Sequence, residues 1–174
     1  MVFGFSITAH AGSSIRTGGV TSQPAGHHNY CNRGGRHCGG HRDAGPAQMN
    51  ASKWAAVKSV NAQVNRSIKP MSDLQSRGVA EYWSNGGRTG DCEDYALKKR
   101  SILLSKGFKP SQLPLVKTRL RNGEAHIVLV VRTTQGDFVM DNLRNDVPAY
   151  NRTGYRFLKM QSASNSSTWL SIRG

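Results

Sequence analysis

The segment His126-Ile127-Val128-Leu129-Val130-Val131 is apolar, rich in β-branched residues and bracketed by turn residues, so it reads as the central strand of a sheet. Ahead of it, Leu115 to Arg121 is extended and ends in Asn122-Gly123, a hairpin dipeptide whose two residues both suit positive φ. Behind it, a turn near Thr134-Gln135-Gly136 leads into Asp137-Phe138-Val139-Met140-Asp141. Tyr155 to Met160 reads as a further strand, and Trp169-Leu170 as one that closes the sheet.

The preceding half has a different period. From Met49 to Ile68, the residues Trp54, Val57, Asn61, Val64 and Ile68 recur at steps of three and four, the stripe of a helix. Asn50 or Ser52 can cap its start, and Pro70 stops it. A short helix is expected over Asp73 to Gly78. A third opens at Asp91-Cys92, after the turn-rich stretch Ser84 to Gly90, with Tyr95, Ala96, Ile102 and Leu103 on its apolar face and Gly107 as its stop. Helices followed by an antiparallel meander define an α+β fold.

At 174 residues the chain is expected to form one domain over 12–174, with a loop-rich segment at 12–47 and the core at 48–174. No apolar stretch approaches the ~20 residues of a membrane-spanning helix. Twenty-four Lys and Arg against 10 acidic residues leave a formal charge of +14, which favours polyanionic partners. The basic residues are scattered, the tightest run being Lys98-Lys99-Arg100, so most are read as solvated surface and no specific nucleic-acid partner is expected.

Residues 1–11 read as the remnant of an export signal: Val2 to Ile7 is apolar, and Ala9-His10-Ala11 supplies small residues at a cleavage site. In an oxidising compartment Cys31 and Cys38 would close a small loop as a disulfide, worth about 2–3 kcal/mol. The rival reading is zinc, because His27, His28, His37 and His41 surround the two cysteines.

Cys92 is left over, and a glycine-rich turn delivers it to a helix start. Free N–H groups and the helix dipole there favour a thiolate, the nucleophilic form of cysteine. His126 and Asp141 sit on neighbouring predicted strands and on one face. A two-residue turn at Thr133-Thr134 sets them directly opposite; a four-residue turn ending at Gly136 sets them one diagonal step apart. A carboxylate holding an imidazole that faces a thiol is the nucleophile, base and orienter pattern of a cysteine hydrolase.

The blocks Gly90-Asp91-Cys92-Glu93-Asp94-Tyr95-Ala96, Ala125-His126-Ile127-Val128-Leu129 and Gly136-Asp137-Phe138-Val139-Met140-Asp141-Asn142 resemble the bacterial transglutaminase-like cysteine proteinase family. Thr21-Ser22-Gln23-Pro24, Gly26-His27, the cysteine pair, Asn61, Asn65, Asp73 and Trp83 add to the resemblance, which spans about residues 18 to 170. It implies a papain-like, transglutaminase-core fold, a periplasmic or secreted location and a catalytic triad falling on Cys92, His126 and Asp141. The family's LapG-like branch clips large surface adhesins in a calcium-dependent way. Its calcium ligands flank the nucleophile and would fall on Asp91 and Glu93, whose oxygens suit Ca²⁺ or, alternatively, complement the helix dipole.

The expected partner is thus a protein or peptide substrate, with a surface adhesin as the candidate that the LapG-like branch suggests. Two other functions fit the same residues: a basic binding module that keeps the scaffold without catalysis, and an acyltransferase using the same thioester.

Overall fold

The structure is a computed structural model and describes residues 12–174; the expected signal remnant at 1–11 lies outside the described residues. Its elements are β1 (Thr17–Thr21), α1 (Ala25–Asn32), α2 (Ala51–Ser67), β2 (Lys69–Pro70), α3 (Asp73–Arg77), β3 (Thr89–Gly90), α4 (Cys92–Ser105), β4 (Leu115–Arg119), β5 (Ala125–Thr133), β6 (Gly136–Met140), β7 (Arg156–Gln161) and β8 (Trp169–Ile172).

One antiparallel sheet of six strands, in the order β1-β8-β7-β4-β5-β6, forms the centre. Only β4-β5-β6 is a meander: after β6 the chain crosses back, and β7 pairs with the far side of β4. The apolar run in β5 serves two cores. Ile127, Leu129 and Val131 pack with Val57, Val60 and Val64 of α2 and with Tyr95, Ala96 and Leu103 of α4. Val128 and Val130 face the other way, against Ile15, Val116, Val139 and Met160. Burial on both faces is why the run is continuously apolar instead of alternating. Each fully buried Leu or Val there contributes about 1.5–3 kcal/mol.

Asn50 caps α2 by accepting from Lys53 N at 2.8 Å, which decides between the two expected caps. Ser72 caps α3 in a capping box, and Gly78 ends it in the left-handed conformation at φ 72°. The hairpin between β4 and β5 differs from expectation. Arg119 pairs with Ala125, and Leu120 bonds to both Gly123 and Glu124, which gives a turn over 121–123. Gly123 has φ 85°, and Asn122 is not among the positive-φ residues. A longer loop with one left-handed glycine therefore replaces the tight two-residue turn.

The segment 12–47 is not simply loop. It adds β1 at the sheet edge, beside β8, and the helix α1. Neither carries an apolar period, because tertiary contacts hold them. Cys31 and Cys38 form a disulfide with Cα atoms 5.8 Å apart, so their sulfurs are engaged with each other and not with zinc. His27 of α1 is buried, edge-on to Trp83 and Trp169 at 5.3 and 5.5 Å. Burial, reinforced by Arg100, pushes its pKa down to about 4, so it stays neutral near pH 7. Further upstream, Ile15 N donates to the buried Asp137 carboxylate at 2.8 Å and straps the N-terminal segment to the sheet.

The Lys98-Lys99-Arg100 run is not solvated surface either. Lys99 and Arg100, both within α4, are fully buried. Arg100 donates to Ser166 Oγ at 2.8 Å and to the His37 carbonyl at 3.2 Å, joining the disulfide loop to the β7–β8 turn. Lys99 Nζ has no hydrogen-bond partner. Burial lowers its pKa to about 7, although the Asp141 charge opposes the shift. The unfolded chain thus binds more protons than the folded one between pH 7 and about 10.5, and Lys99 makes stability rise with pH across that window. Lys99→Met is expected to raise the stability read from urea unfolding at pH 7 by about 1–3 kcal/mol. It should also flatten the alkaline rise, and an unchanged pH slope in the variant would show that Lys99 is not the source.

Candidate active site

The approach to Cys92 is clamped before the helix begins. Immediately after α2, Lys69 and Pro70 pair in parallel with Thr89 and Gly90, and Met71 N bonds Gly90 O at 3.0 Å. Position 90 has to be glycine: an added Cβ would come within 2.5–3.0 Å of the Asp94 side chain. Asp94 in turn accepts from Ser84 N at 2.8 Å and Ser84 Oγ at 2.9 Å, which ties the glycine-rich turn to the first turn of α4.

Cys92 is the first residue of α4, half-buried and unbridged. Its Sγ donates to Glu93 Oε2 at 3.3 Å. Burial pushes the thiol well above its ordinary pKa, the Glu93 charge adds to that, and the Ile127 backbone N–H leans the other way. The expectation that the helix terminus alone favours thiolate is therefore corrected. Desolvation and a neighbouring acid work against the dipole there.

His126 is the second residue of β5 and is buried. Its Nε2 lies 2.8 Å from Asp141 Oδ1. The β5–β6 register pairs Arg132 with Asp137 and Thr133 with Gly136. Continuing it sets Asp141 opposite Val128, one diagonal step from His126. This is the register of the longer expected turn, closed by one further pair. Burial alone would raise the Asp141 pKa, but hydrogen bonds from His126, Tyr155 and Leu143 N outweigh it and hold the carboxyl below its ordinary value. Tyr155 OH donates to Asp141 Oδ2 at 2.6 Å, and its ring meets the His126 ring edge-on at 5.9 Å. From α2, Asn65 Nδ2 donates to the Asp141 carbonyl at 3.0 Å, and Asn61 Nδ2 to the Arg144 carbonyl at 3.1 Å. Tyr155 was not legible as a site residue, since it lies beyond the β6–β7 crossover in sequence.

Cys92 and His126 line two adjoining pockets of about 250 Å³ each, which share Asp91, Glu124 and Ala125. With Nε2 turned to Asp141, the Nδ1 atom of His126 is the ring nitrogen left for the cleft. The chain thus offers a soft nucleophile, an imidazole oriented by a carboxylate, and the free N–H groups of a helix start.

Beside Cys92, the carboxylates of Asp73, Asp91 and Glu93 offer oxygens all within 4.8 Å of one another. Asp91 Oδ1 is buried without a partner. Burial, with Asp91 next to it, pushes Glu93 up to about 9. Asp73 is raised by burial too, against a hydrogen bond from Tyr82 N. Three hard, partly unsatisfied oxygen donors fit a divalent cation of the calcium type. Asp73 joins the two acids read from sequence; α3 brings it there from 18 residues away, where its backbone N–H also donates to Asp91 at 3.3 Å.

An α+β core with a cysteine at a helix start, packed on a sheet that carries a histidine–aspartate pair, defines the class of papain-like, transglutaminase-core cysteine hydrolases. The profile of the bacterial transglutaminase-like cysteine proteinases matches residues 17–174, and the chain belongs to that family of cysteine-type peptidases. Three solved structures of Legionella pneumophila LapG share the fold. The calcium-bound form is 24% identical, with 67% of this chain and 68% of that one covered and a TM-score of 0.56. A second is 23% identical, covering 68% of each chain, with a TM-score of 0.55. The EGTA-treated form is 23% identical, covers 68% of this chain and 67% of that one, and has a TM-score of 0.56. No curated protein matches significantly.

Proposed function

We propose that the chain is a periplasmic or secreted peptidase that cleaves a surface protein through Cys92 as nucleophile, His126 as base and Asp141 as orienter. The observation that carries this reading is the Tyr155–Asp141–His126 hydrogen-bond chain ending in the cleft that also holds Cys92. The Cys92 proton passes to His126 Nδ1 and the sulfur attacks the scissile carbonyl. The Cys92 backbone N–H, one of the free donors of a helix start, would bond the oxyanion. Collapse of the tetrahedral adduct expels the amine, which takes the proton back from His126. Water, deprotonated by the same ring, then splits the thioester. The Cys31–Cys38 disulfide suits an oxidising compartment.

Asp73, Asp91 and Glu93 would hold Ca²⁺, the ion in one of the LapG structures. Bound there, it supplies positive charge that offsets the acids beside the sulfur. Stoichiometric calcium is expected to raise Tm by several degrees, and Asp73→Asn should lose that shift. An equal Tm with and without calcium speaks against the site.

An electrophilic thiol probe, applied with and without chelator and followed by mapping of the labelled residue, tests nucleophile and cation together. Cys92 is expected to react at least about tenfold faster than a free thiol with calcium present, and more slowly after chelation. Reaction no faster than a free thiol would sink the enzymatic reading.

A further inference from the structure

Strands β4 and β7 set like charges directly against each other. Lys117 pairs with Lys159, and Arg119 with Arg156. Directly paired residues share a face, and Lys117 and Arg119, two apart on one strand, share theirs. Lys159 and Arg156, three apart on β7, stay on that face because the register shifts by one residue, as at a β-bulge, between the two pairs, so four cations occupy one face of the sheet. Like charges in this position are destabilising, and no acid offsets them. Among the described residues the ion pairs are Arg77–Asp73, His126–Asp141 and Arg144–Asp146. Lys159 Nζ donates instead to the carbonyl and hydroxyl oxygens of Ser22 at 2.8 and 2.9 Å. Arg119 Nη1 donates to the Gly123 carbonyl at 2.7 Å. Burial and the adjacent Lys117 hold Lys159 below the usual lysine pKa. Arg119 and Arg156 are exposed, with charge to offer a ligand.

The strip joins the catalytic cleft. Lys117 lines it together with Cys92 and His126, and Arg119 pairs with Ala125, the residue before His126. Along β4 the two cations repeat at about 7 Å, two residues of extended chain. That spacing matches alternate side chains of a peptide lying extended along the strand. The cleft also carries the acids Asp91 and Glu93 beside Cys92, and the exposed Glu81 and Glu124 on its rim, where Glu124 accepts from Asn122 Nδ2 at 3.3 Å.

We propose that Lys117, Lys159, Arg119 and Arg156 form the substrate-recognition strip of this peptidase and take an Asp- or Glu-rich segment flanking the scissile bond. The inference rests on the peptidase reading and names its substrate class; the overall charge of +14 steers the same kind of partner toward the chain.

The test is fluorescence anisotropy of the full chain carrying Cys92→Ala, so that binding is read apart from turnover. The probes are a labelled ten-residue peptide in which Glu alternates with Gly or Ser, and its Gln counterpart. The Glu peptide is expected to bind at least about tenfold tighter at low salt, with the advantage shrinking as salt rises. Arg119→Gln/Arg156→Gln should remove most of that advantage, and Arg119→Lys/Arg156→Lys should keep it. Lys58→Gln/Arg66→Gln, on the exposed face of α2, controls for general charge and should change nothing. The Gln double variant should also keep or gain Tm, by about 1–4 °C, because it relieves cross-strand repulsion. Equal binding of the two peptides, or equal losses from the strip and control variants, would overturn the proposal. So would a DNA duplex or an anionic vesicle bound more tightly through the same four residues. Failure of the thiol-probe experiment, by contrast, would remove the peptidase reading whatever the anisotropy gives.

Discussion

Cys92→Ala is expected to lower turnover by at least about 10⁴-fold, as loss of a covalent nucleophile does, while Tm moves by no more than about 2 °C. Cys92 is half-buried at the first position of α4 and borders the two pockets of the cleft, so the small change from Cys to Ala leaves little enclosed cavity. The clamp around it is made by other groups: the β2–β3 ladder, Gly90, and Asp94 with Ser84. Purified variant and parent compared by thermal melt and by peptide cleavage decide the matter. A variant with parental activity would assign catalysis elsewhere, and a binding module would retain its ligand through the substitution. Acyl transfer would be lost along with hydrolysis, and mass analysis of products formed in the presence of an added amine separates those two.

Asp141→Asn is the second large effect, with a fall in kcat of about 10³–10⁴-fold expected. The Asp141 carboxylate accepts from His126, Tyr155 and Leu143 N. An amide there can present its nitrogen to the ring and favour the wrong tautomer. Tyr155→Phe should cost far less, on the order of tenfold, since it leaves the carboxylate in place. The same carboxyl links stability to acid. Its folded pKa lies below the ordinary carboxylate value, so its contribution is fully present above that value. It is lost as pH falls through the folded pKa. Asp141→Asn should flatten the acid limb of a stability profile recorded by urea unfolding; an acid limb as steep as the parent's would show that other carboxylates carry it.

The β4-β5-β6 hairpins, α2 and the start of α4 were legible because each is a local pattern: a short β-branched apolar run between turn residues, or period 3.6 between a cap and a stop. Residues His126 and Asp141 could be put on one face for the same reason, since a face depends only on strand parity. The diagonal register was narrowed to two options, because it depends on how the turn closes. The Thr133–Gly136 pair decided that. By contrast, α1 and β1 carry no apolar period and exist through the disulfide, His27 and pairing with β8.

Residue chemistry along the chain determined the class of elements, their order and a cysteine, a histidine and an aspartate suited to covalent catalysis. Tertiary structure alone decided that Tyr155 joins Asp141, that Asp73 joins Asp91 and Glu93, and that Lys99 and Arg100 are buried. It also decided that burial and Glu93 push the pKa of the thiol at the helix tip upward. The physical reason is range. Propensity and period act over a few residues, whereas desolvation and Coulomb interaction depend on which distant segments are brought within a few ångströms.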